Sequence, residues 1–518
     1  MLPPAPSYDA LRERFRWEIP DRYNMGVDVC DRWADAEPDR TALIDMTGAD
    51  RRDVSYGTLR SLSSRLANTL IEAGVGPGDR IGVFRSQSVW TAAAHIAIWK
   101  MGAISIPLFT LFGADALAMR LKDAGAKAVV TDPANTPKIS ALGMENLAIL
   151  TPETGLSGNT GFTPRDTAAG DPAVLIYTSG TTGAPKGALH AHRVLPGHLP
   201  GVEMSHDGGF RRGDVLWTPA DWAWIGGLFD VLMPGLHHGV PIVAARFDKF
   251  TGAAAKALIE GTGVTCTFLP PTALKRLKAD RISITGLRTV ASGGEPLGAE
   301  MLAWGREALG VTINEFYGQT ECNMVVSSCG ALFDPRPGCI GKPVPGHDVT
   351  VLDPDSTGEG DIAIRRGSPV MMLEYWNNPA ATAEKYRGDW LLTGDRGVME
   401  DGFIRFRGRD DDVITSAGYR IGPSEIEDCL VSHPAVAAAG VVGRPDPERT
   451  ERICAFVMLR DGVEPGEALL TELQTHVKTR LAAHEYPREI HFVEALPMTV
   501  TGKIVRRALR DWLKEDAR

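Results

Sequence analysis

From Arg80 the chain reads as a short apolar run, Ile81 to Phe84, then apolar residues at helical spacing from Val89 to Met101, then a second apolar run from Ala103 to Leu108. Short apolar runs favour buried strands and a three-to-four-residue period favours a helix, so this stretch predicts strand, helix, strand. The theme returns twice. Ala116 to Ala124 has the helical period before the run Ala126 to Val130, and Ala253 to Ile259 precedes the run Val264 to Leu269. Alternation of this kind predicts an α/β fold of mostly parallel sheets covered by helices.

Thr151 to Asp171 is rich in Gly, Thr and Pro, lacks periodicity and reads as a surface connection. The polar cluster Gly408 to Asp412 follows an alternating segment and marks a change of character. The remainder has the size of a small domain. In it, Ser424-Glu-Ile-Glu427 has the form of a capping box, with Ile426, Leu430 and Val431 on the helix it would start and His433-Pro434 stopping it. Gly466 to Leu481 reads as helix, Ile490 to Val493 as strand and Val505 to Leu513 as a last helix, an α+β pattern. Domains are therefore expected at 1–409 and 410–518. No tandem repeat or low-complexity tract interrupts them.

Composition narrows the function classes. With 518 residues the chain can bury several cores, and 55 basic against 65 acidic residues give a formal charge of −10, which disfavours nucleic acid as a partner. Seven cysteines, without a C-x-x-C pair, read as reduced cytosolic thiols. The segment from Met1 lacks the pattern of a secretory signal and no apolar run reaches the ~20 residues of a bilayer span, so a cytoplasmic location is expected.

The chemistry begins at Val174-Leu-Ile-Tyr-Thr-Ser-Gly-Thr-Thr-Gly-Ala-Pro-Lys-Gly187, an apolar strand entering a loop of hydroxyls and glycines that ends in a lysine. Such a loop brings backbone N–H groups, hydroxyls and an ammonium onto a polyphosphate. It is not a Walker A loop, because Pro185 stands where that motif's second glycine belongs and Gly187 follows the lysine.

This loop resembles the phosphate-binding motif of the adenylate-forming superfamily, which includes acyl-CoA synthetases, adenylation domains and luciferase. Further segments match in the family's order: Ala291-Ser-Gly-Gly-Glu-Pro-Leu297, Glu315-Phe-Tyr-Gly-Gln-Thr-Glu321, Leu392-Thr-Gly-Asp395, Phe406 to Asp412, Ser416 to Glu427 and Pro497-Met-Thr-Val-Thr-Gly-Lys503. The resemblance implies a large domain of α/β subdomains with a smaller β-rich part, followed by a mobile C-terminal domain. It implies an AMP-forming ligase that joins a carboxylic acid to CoA through an acyl-adenylate, using ATP and Mg²⁺.

By that resemblance, Thr178, Ser179, Gly180, Thr181, Thr182, Gly183 and Lys186 would hold the β- and γ-phosphates. Glu321 would ligate Mg²⁺, which usually takes one or two carboxylates with phosphate oxygens and waters. Gly294, Glu295 and Pro296, with Glu315, Phe316, Tyr317, Gly318, Gln319 and Thr320, would line the nucleotide pocket. Asp395 would bind the ribose hydroxyls beside Arg409. Lys503 would reach the α-phosphate and the substrate carboxylate. Asp411 matches the hinge about which the small domain turns between half-reactions, and Gly418, Tyr419 and Arg420 would then meet CoA.

The acid should be selected by a pocket beside the adenylate. Trp222, Trp224, Gly226 and Gly227 are expected to shape it, the alternative being that the two tryptophans belong to the ordinary core. Gly318 stands where acetyl-CoA synthetases carry a pocket-closing tryptophan, so the chain resembles medium-chain acyl-CoA synthetases most. Alternatives are an adenylation enzyme that loads a carrier protein, a non-catalytic nucleotide sensor and a luciferase-like oxygenase. The oligomeric state is left open, a homodimer included.

Overall fold

The computed structural model describes every residue except 49, 179–184, 248, 410, 411, 413, 417, 418, 447–449, 482–485, 500, 501 and 516–518. Of the expected site residues, Ser179, Gly180, Thr181, Thr182, Gly183, Asp411 and Gly418 lie outside the described residues, as do the side chains of Tyr419 and Arg420.

Among the described residues the strands assemble into four sheets. One runs Glu374–Tyr375, Gly187–Ala191, Pro172–Tyr177, Ile104–Pro107, Arg80–Phe84, Ala128–Thr131 and Ala148–Leu150, with its inner pairings parallel. A second runs from Lys342–Pro343 through Asn323–Ser327, Ile313–Gln319, Thr289–Gly293, Cys266–Phe268, Leu216–Trp217, Ile242–Ala244 and Thr41–Asp45 to Arg52–Ser55, again parallel in its middle. The strands predicted from the apolar runs thus form the centres of two α/β sheets.

The helix Val89–Lys100 shows why the interior is so apolar. Ser88 caps it, its side-chain oxygen accepting the Thr91 N–H at 3.2 Å. Every residue of the helix except Trp90 is buried, so it is an all-round apolar helix inside the core rather than an amphipathic one on its surface. Trp99 is fully buried and donates its indole N–H to the Ala173 carbonyl at 2.9 Å, which leaves no orphan donor. Lys100 closes the helix on Asp31 at 2.5 Å.

An antiparallel sheet of Val349–Leu352, Glu359–Arg365, Trp390–Glu400 and Tyr386–Arg387, extended by Phe403–Arg409, supplies the β-rich part. Beyond residue 413 the chain builds a separate sheet, in which Thr450–Leu459 pairs antiparallel with Val436–Asp446 and parallel with Glu489–Phe492. Its two faces bury different residues: Val441 packs with Ile414, Ile426 and Val477, whereas Val442 packs with Phe456, Leu509 and Leu513. That is the two-residue alternation of a strand covered on both sides.

Helices fall at Glu467–Arg480 and Arg506–Glu515, close to their predicted bounds. The capping box does not form. The helix starts at Pro423 with Gly422 as its cap residue and no side-chain cap. Glu427 instead binds Arg506 at 2.6 Å and accepts the Val441 N–H at 2.8 Å, because it lies where a half-buried arginine needs a partner. All seven cysteines are buried and unbridged, and no helix among the described residues is long and apolar enough to cross a membrane.

Candidate active site

The parallel strands Cys266–Phe268, Thr289–Gly293 and Ile313–Gln319 end on one side of their sheet, where open α/β sheets hold their ligands. The loop after Thr289–Gly293 contains Gly294, whose φ of +102° suits glycine. Glu315 ties this loop down by accepting the Leu297 N–H at 3.2 Å. Its other oxygen is buried without a partner among the described residues, and burial pushes its pKa up to about 8. Glu295 faces Lys275 at 3.8 Å, and Pro296 continues the loop.

Ile313–Gln319 turns back into Asn323–Ser327, and the turn presents Thr320 and Glu321. The turn suits its residues, since Asn323 takes a left-handed φ of +51°. His190 donates its Nε2–H to the Thr320 carbonyl at 2.8 Å, its ring kept neutral by burial, which lowers its pKa to about 4. Glu321 accepts the Tyr375 hydroxyl at 2.5 Å.

Asp395 is 5% exposed and accepts the Tyr317 hydroxyl at 2.5 Å and the Gln319 side-chain N–H at 3.0 Å. Burial raises its pKa, against the pull of Arg409, Tyr317, Lys385 and Lys503. Arg409 stands across the strand pair from it, at 3.9 Å. The ribose candidates are therefore assembled by the pairing of Trp390–Glu400 with Phe403–Arg409.

The phosphate loop is closed at its base. Tyr177 pairs with Gly187, and the Thr178 N–H donates to the Lys186 carbonyl at 2.9 Å. The Lys186 side chain is exposed, its ammonium 5.2 Å from the centre of the Tyr375 ring.

Lys503 follows a tight turn in which its N–H donates to the Thr499 hydroxyl at 3.0 Å and its carbonyl accepts the Thr499 N–H at 2.7 Å. The turn's Gly502, at φ +83°, rests on the large unit: a Cβ there would lie 3.0 Å from Thr272 Cγ2. Lys503 reaches solvent, yet the protein around its ammonium lowers its pKa; Glu295, Asp395 and Glu321 oppose that shift and Arg409 adds to it. One cationic group from the C-terminal unit thus shares an electrostatic neighbourhood with the acids expected at the nucleotide. Tyr419 and Arg420 lie on the strand Tyr419–Ile421, paired with Ser416 and Thr415.

Near the adenine candidates, Trp224, Phe268 and Phe316 form an aromatic row with ring centroids 6.0 and 5.3 Å apart. Trp224 also lies against Gly294, and a Cβ on Gly226 would be 3.0 Å from Phe268 and 3.1 Å from Trp224. Three of the residues expected at the acyl pocket also have structural reasons for their identity. Trp222 is fully buried in the main core. Gly227 is required by backbone, a Cβ falling 2.3 Å from the Asp221 carbonyl oxygen. A Cβ on Gly318 would fall 1.7 Å from the Asn323 carbonyl oxygen, so the hairpin's close approach already accounts for glycine there.

Tyr375, Thr272 and Phe268 also stand at the site, outside the motif segments. Phe268 carries a usable signal, since it stands one residue before the end of an apolar run that meets Pro270-Pro271, at the carboxyl end of a parallel strand. Tyr375 carries none.

Residues 30–376 match the family model of the AMP-binding enzymes and residues 425–503 that of the AMP-binding enzyme C-terminal domain. The chain is 34% identical to acetyl-coenzyme A synthetase of Bacillus subtilis, covering 95% of this chain and 91% of that protein. It is 32% identical to mouse mitochondrial acyl-coenzyme A synthetase ACSM3, over 98% and 94%. Two solved forms of MatB from Rhodopseudomonas palustris, each 26% identical and covering 96% of this chain and 99% of theirs, superpose with TM-scores of 0.83 when ATP-bound and 0.74 when apo. Family matches along both units, and acyl-CoA synthetase relatives spanning nearly the whole chain, place this protein in the AMP-binding enzyme family as an AMP-forming acyl-CoA synthetase.

Proposed function

We propose that the cleft between the two units carries out both half-reactions on an acid with an apolar body of medium length. The observation that supports this most is Lys503 in the shared field of Glu295, Asp395, Glu321 and Arg409. In the first half-reaction a carboxylate oxygen attacks the α-phosphorus of ATP and pyrophosphate leaves. Two anions must approach, so positioning and charge neutralisation dominate the barrier. Lys503 supplies a point charge between them, Lys186 and the 178–183 segment hold the outgoing phosphates, and Asp395 with Arg409 fixes the ribose end.

The site suits Mg²⁺ held partly by substrate. Among the described residues no three His, Cys, Asp or Glu side chains cluster to hold a metal, whereas Glu321 offers one carboxylate beside the phosphate loop. One carboxylate with phosphate oxygens and waters is an ordinary Mg²⁺ environment, and the ion would draw charge from the departing pyrophosphate.

In the second half-reaction the CoA thiol attacks the acyl carbonyl and AMP leaves. That step needs other groups at the same phosphate, so residues 410–518 turn about Asp411 and bring Gly418, Tyr419 and Arg420 to the thiol. The row Trp224, Phe268 and Phe316 supports an apolar acyl group. A panel of straight-chain and aromatic acids, assayed for CoA-dependent AMP release, tests the reading. Medium-length acids should give the highest kcat/KM; a maximum at acetate overturns the assignment of the acid.

A further inference from the structure

Tyr375 lies on the short strand Glu374–Tyr375, which pairs antiparallel with Gly187–Ala191 and sets Tyr375 opposite Ala188, two residues after Lys186. The segment is fastened on both sides. Leu373 donates its N–H to the Leu189 carbonyl at 2.7 Å, Trp376 to the Gly187 carbonyl at 2.7 Å, and the Tyr375 N–H goes to the Thr382 hydroxyl at 2.9 Å. From this fixed place the ring reaches two charged groups of opposite sign. Its hydroxyl donates to Glu321 Oε1 at 2.5 Å, and the Lys186 ammonium lies 5.2 Å from its centroid. Glu321 is held from its main chain too, its carbonyl accepting the Met372 N–H at 2.8 Å.

A lysine and a glutamate facing one cleft tend to pair with each other, and each is then less available to a substrate. Tyr375 offers each a different partner. We propose that Tyr375 is a positioning residue that keeps Glu321 and Lys186 apart and aimed, the hydroxyl occupying one carboxylate oxygen so that the other faces a divalent cation, the ring holding the ammonium weakly enough for a phosphate to claim it. The ring contact suits that task because Tyr375 is buried and fixed while the Lys186 side chain is exposed, and a cation over a neutral ring is bound less strongly than by a charge-assisted bond to phosphate. The proposal rests on the reading of Glu321 as the Mg²⁺ carboxylate.

Binding of ATP, followed by calorimetry across a Mg²⁺ titration and separately in EDTA, tests it without turnover. Tyr375→Phe keeps the ring and removes only the hydroxyl. It should raise the half-saturating Mg²⁺ about tenfold, the usual loss when a hydrogen bond to a metal ligand is removed, and leave the affinity for metal-free ATP unchanged. Tyr375→Leu should weaken metal-free ATP binding as well, because Lys186 loses its platform. Glu321→Gln is the reference. If it shifts the Mg²⁺ dependence and Tyr375→Phe does not, the role of Tyr375 is overturned while the metal reading stands. If Glu321→Gln leaves the Mg²⁺ dependence unchanged, the metal reading is overturned and this proposal with it.

Discussion

The Tyr317 hydroxyl donates to Oδ2 of Asp395 at 2.5 Å, joining the strand expected along the adenine to the carboxylate expected at the ribose. The two residues belong to different sheets, so this bond sets the relative position of the two halves of the nucleoside site. Bonds to a buried charged group contribute ~1.5–3 kcal/mol, and Tyr317→Phe should raise the KM for ATP by about tenfold with little change for the acid. Initial rates with each substrate varied separately check this; equal changes in both would argue for a general structural effect.

Lys503→Ala should cut acyl-adenylate formation by about 10²–10³-fold, the usual cost of removing one group that stabilises charge in a transition state. Thioester formation from supplied acyl-AMP should survive. Pyrophosphate–ATP exchange and CoA consumption measure the two steps separately, and parallel loss of both contradicts a division of labour between two arrangements.

Glu315 predicts a pH dependence of stability. Its pKa in the fold is about 8 against an ordinary 4.5, so between those values the folded chain binds the extra proton. Stability from this group is complete below about pH 4.5 and is lost as pH rises towards about 8, by on the order of a few kcal/mol. Glu315→Gln keeps an oxygen to accept the Leu297 N–H and carries no charge. Thermal melts from pH 5 to pH 8.5 should show a flatter profile for the variant; an unchanged slope assigns the pH dependence to other groups.

Trp224→Ala opens the aromatic row and should shift preference towards longer acids by about tenfold, the scale of one or two methylenes. Gly318→Ala tests the competing idea that Gly318 sets chain length. With its Cβ directed at the Asn323 carbonyl, it should lower stability by about 1–3 kcal/mol and leave the order of acids unchanged. Acid panels and melts on both variants separate the two positions.

Much of this was legible in the chain where one residue's neighbours in sequence are also its neighbours in space. The strand–helix–strand unit at 81–108 is visible because apolar period and burial coincide there. The turn before Lys503 and the hairpin bearing Glu321 were legible as motifs, and their local geometry is made by residues within a few positions. What escaped depends on distant partners. Ser424 to Glu427 has a capping-box pattern, but Arg506, 79 positions from Glu427, outcompetes the cap. Tyr375 could not be chosen at all, since its partners Glu321 and Lys186 come from two other places in the chain.

The stitch at the base of the phosphate loop constrains how that loop can change in evolution. Because the Thr178 N–H and the Tyr177–Gly187 pair pin both ends, a residue gained or lost between them has to be absorbed within the tip. Slipping the strand by one position instead would turn Lys186 to the opposite face of the sheet, away from Tyr375 and the triphosphate. A length change that shifts the register is therefore not tolerable, and the position of Lys186 is fixed by the strand that follows it.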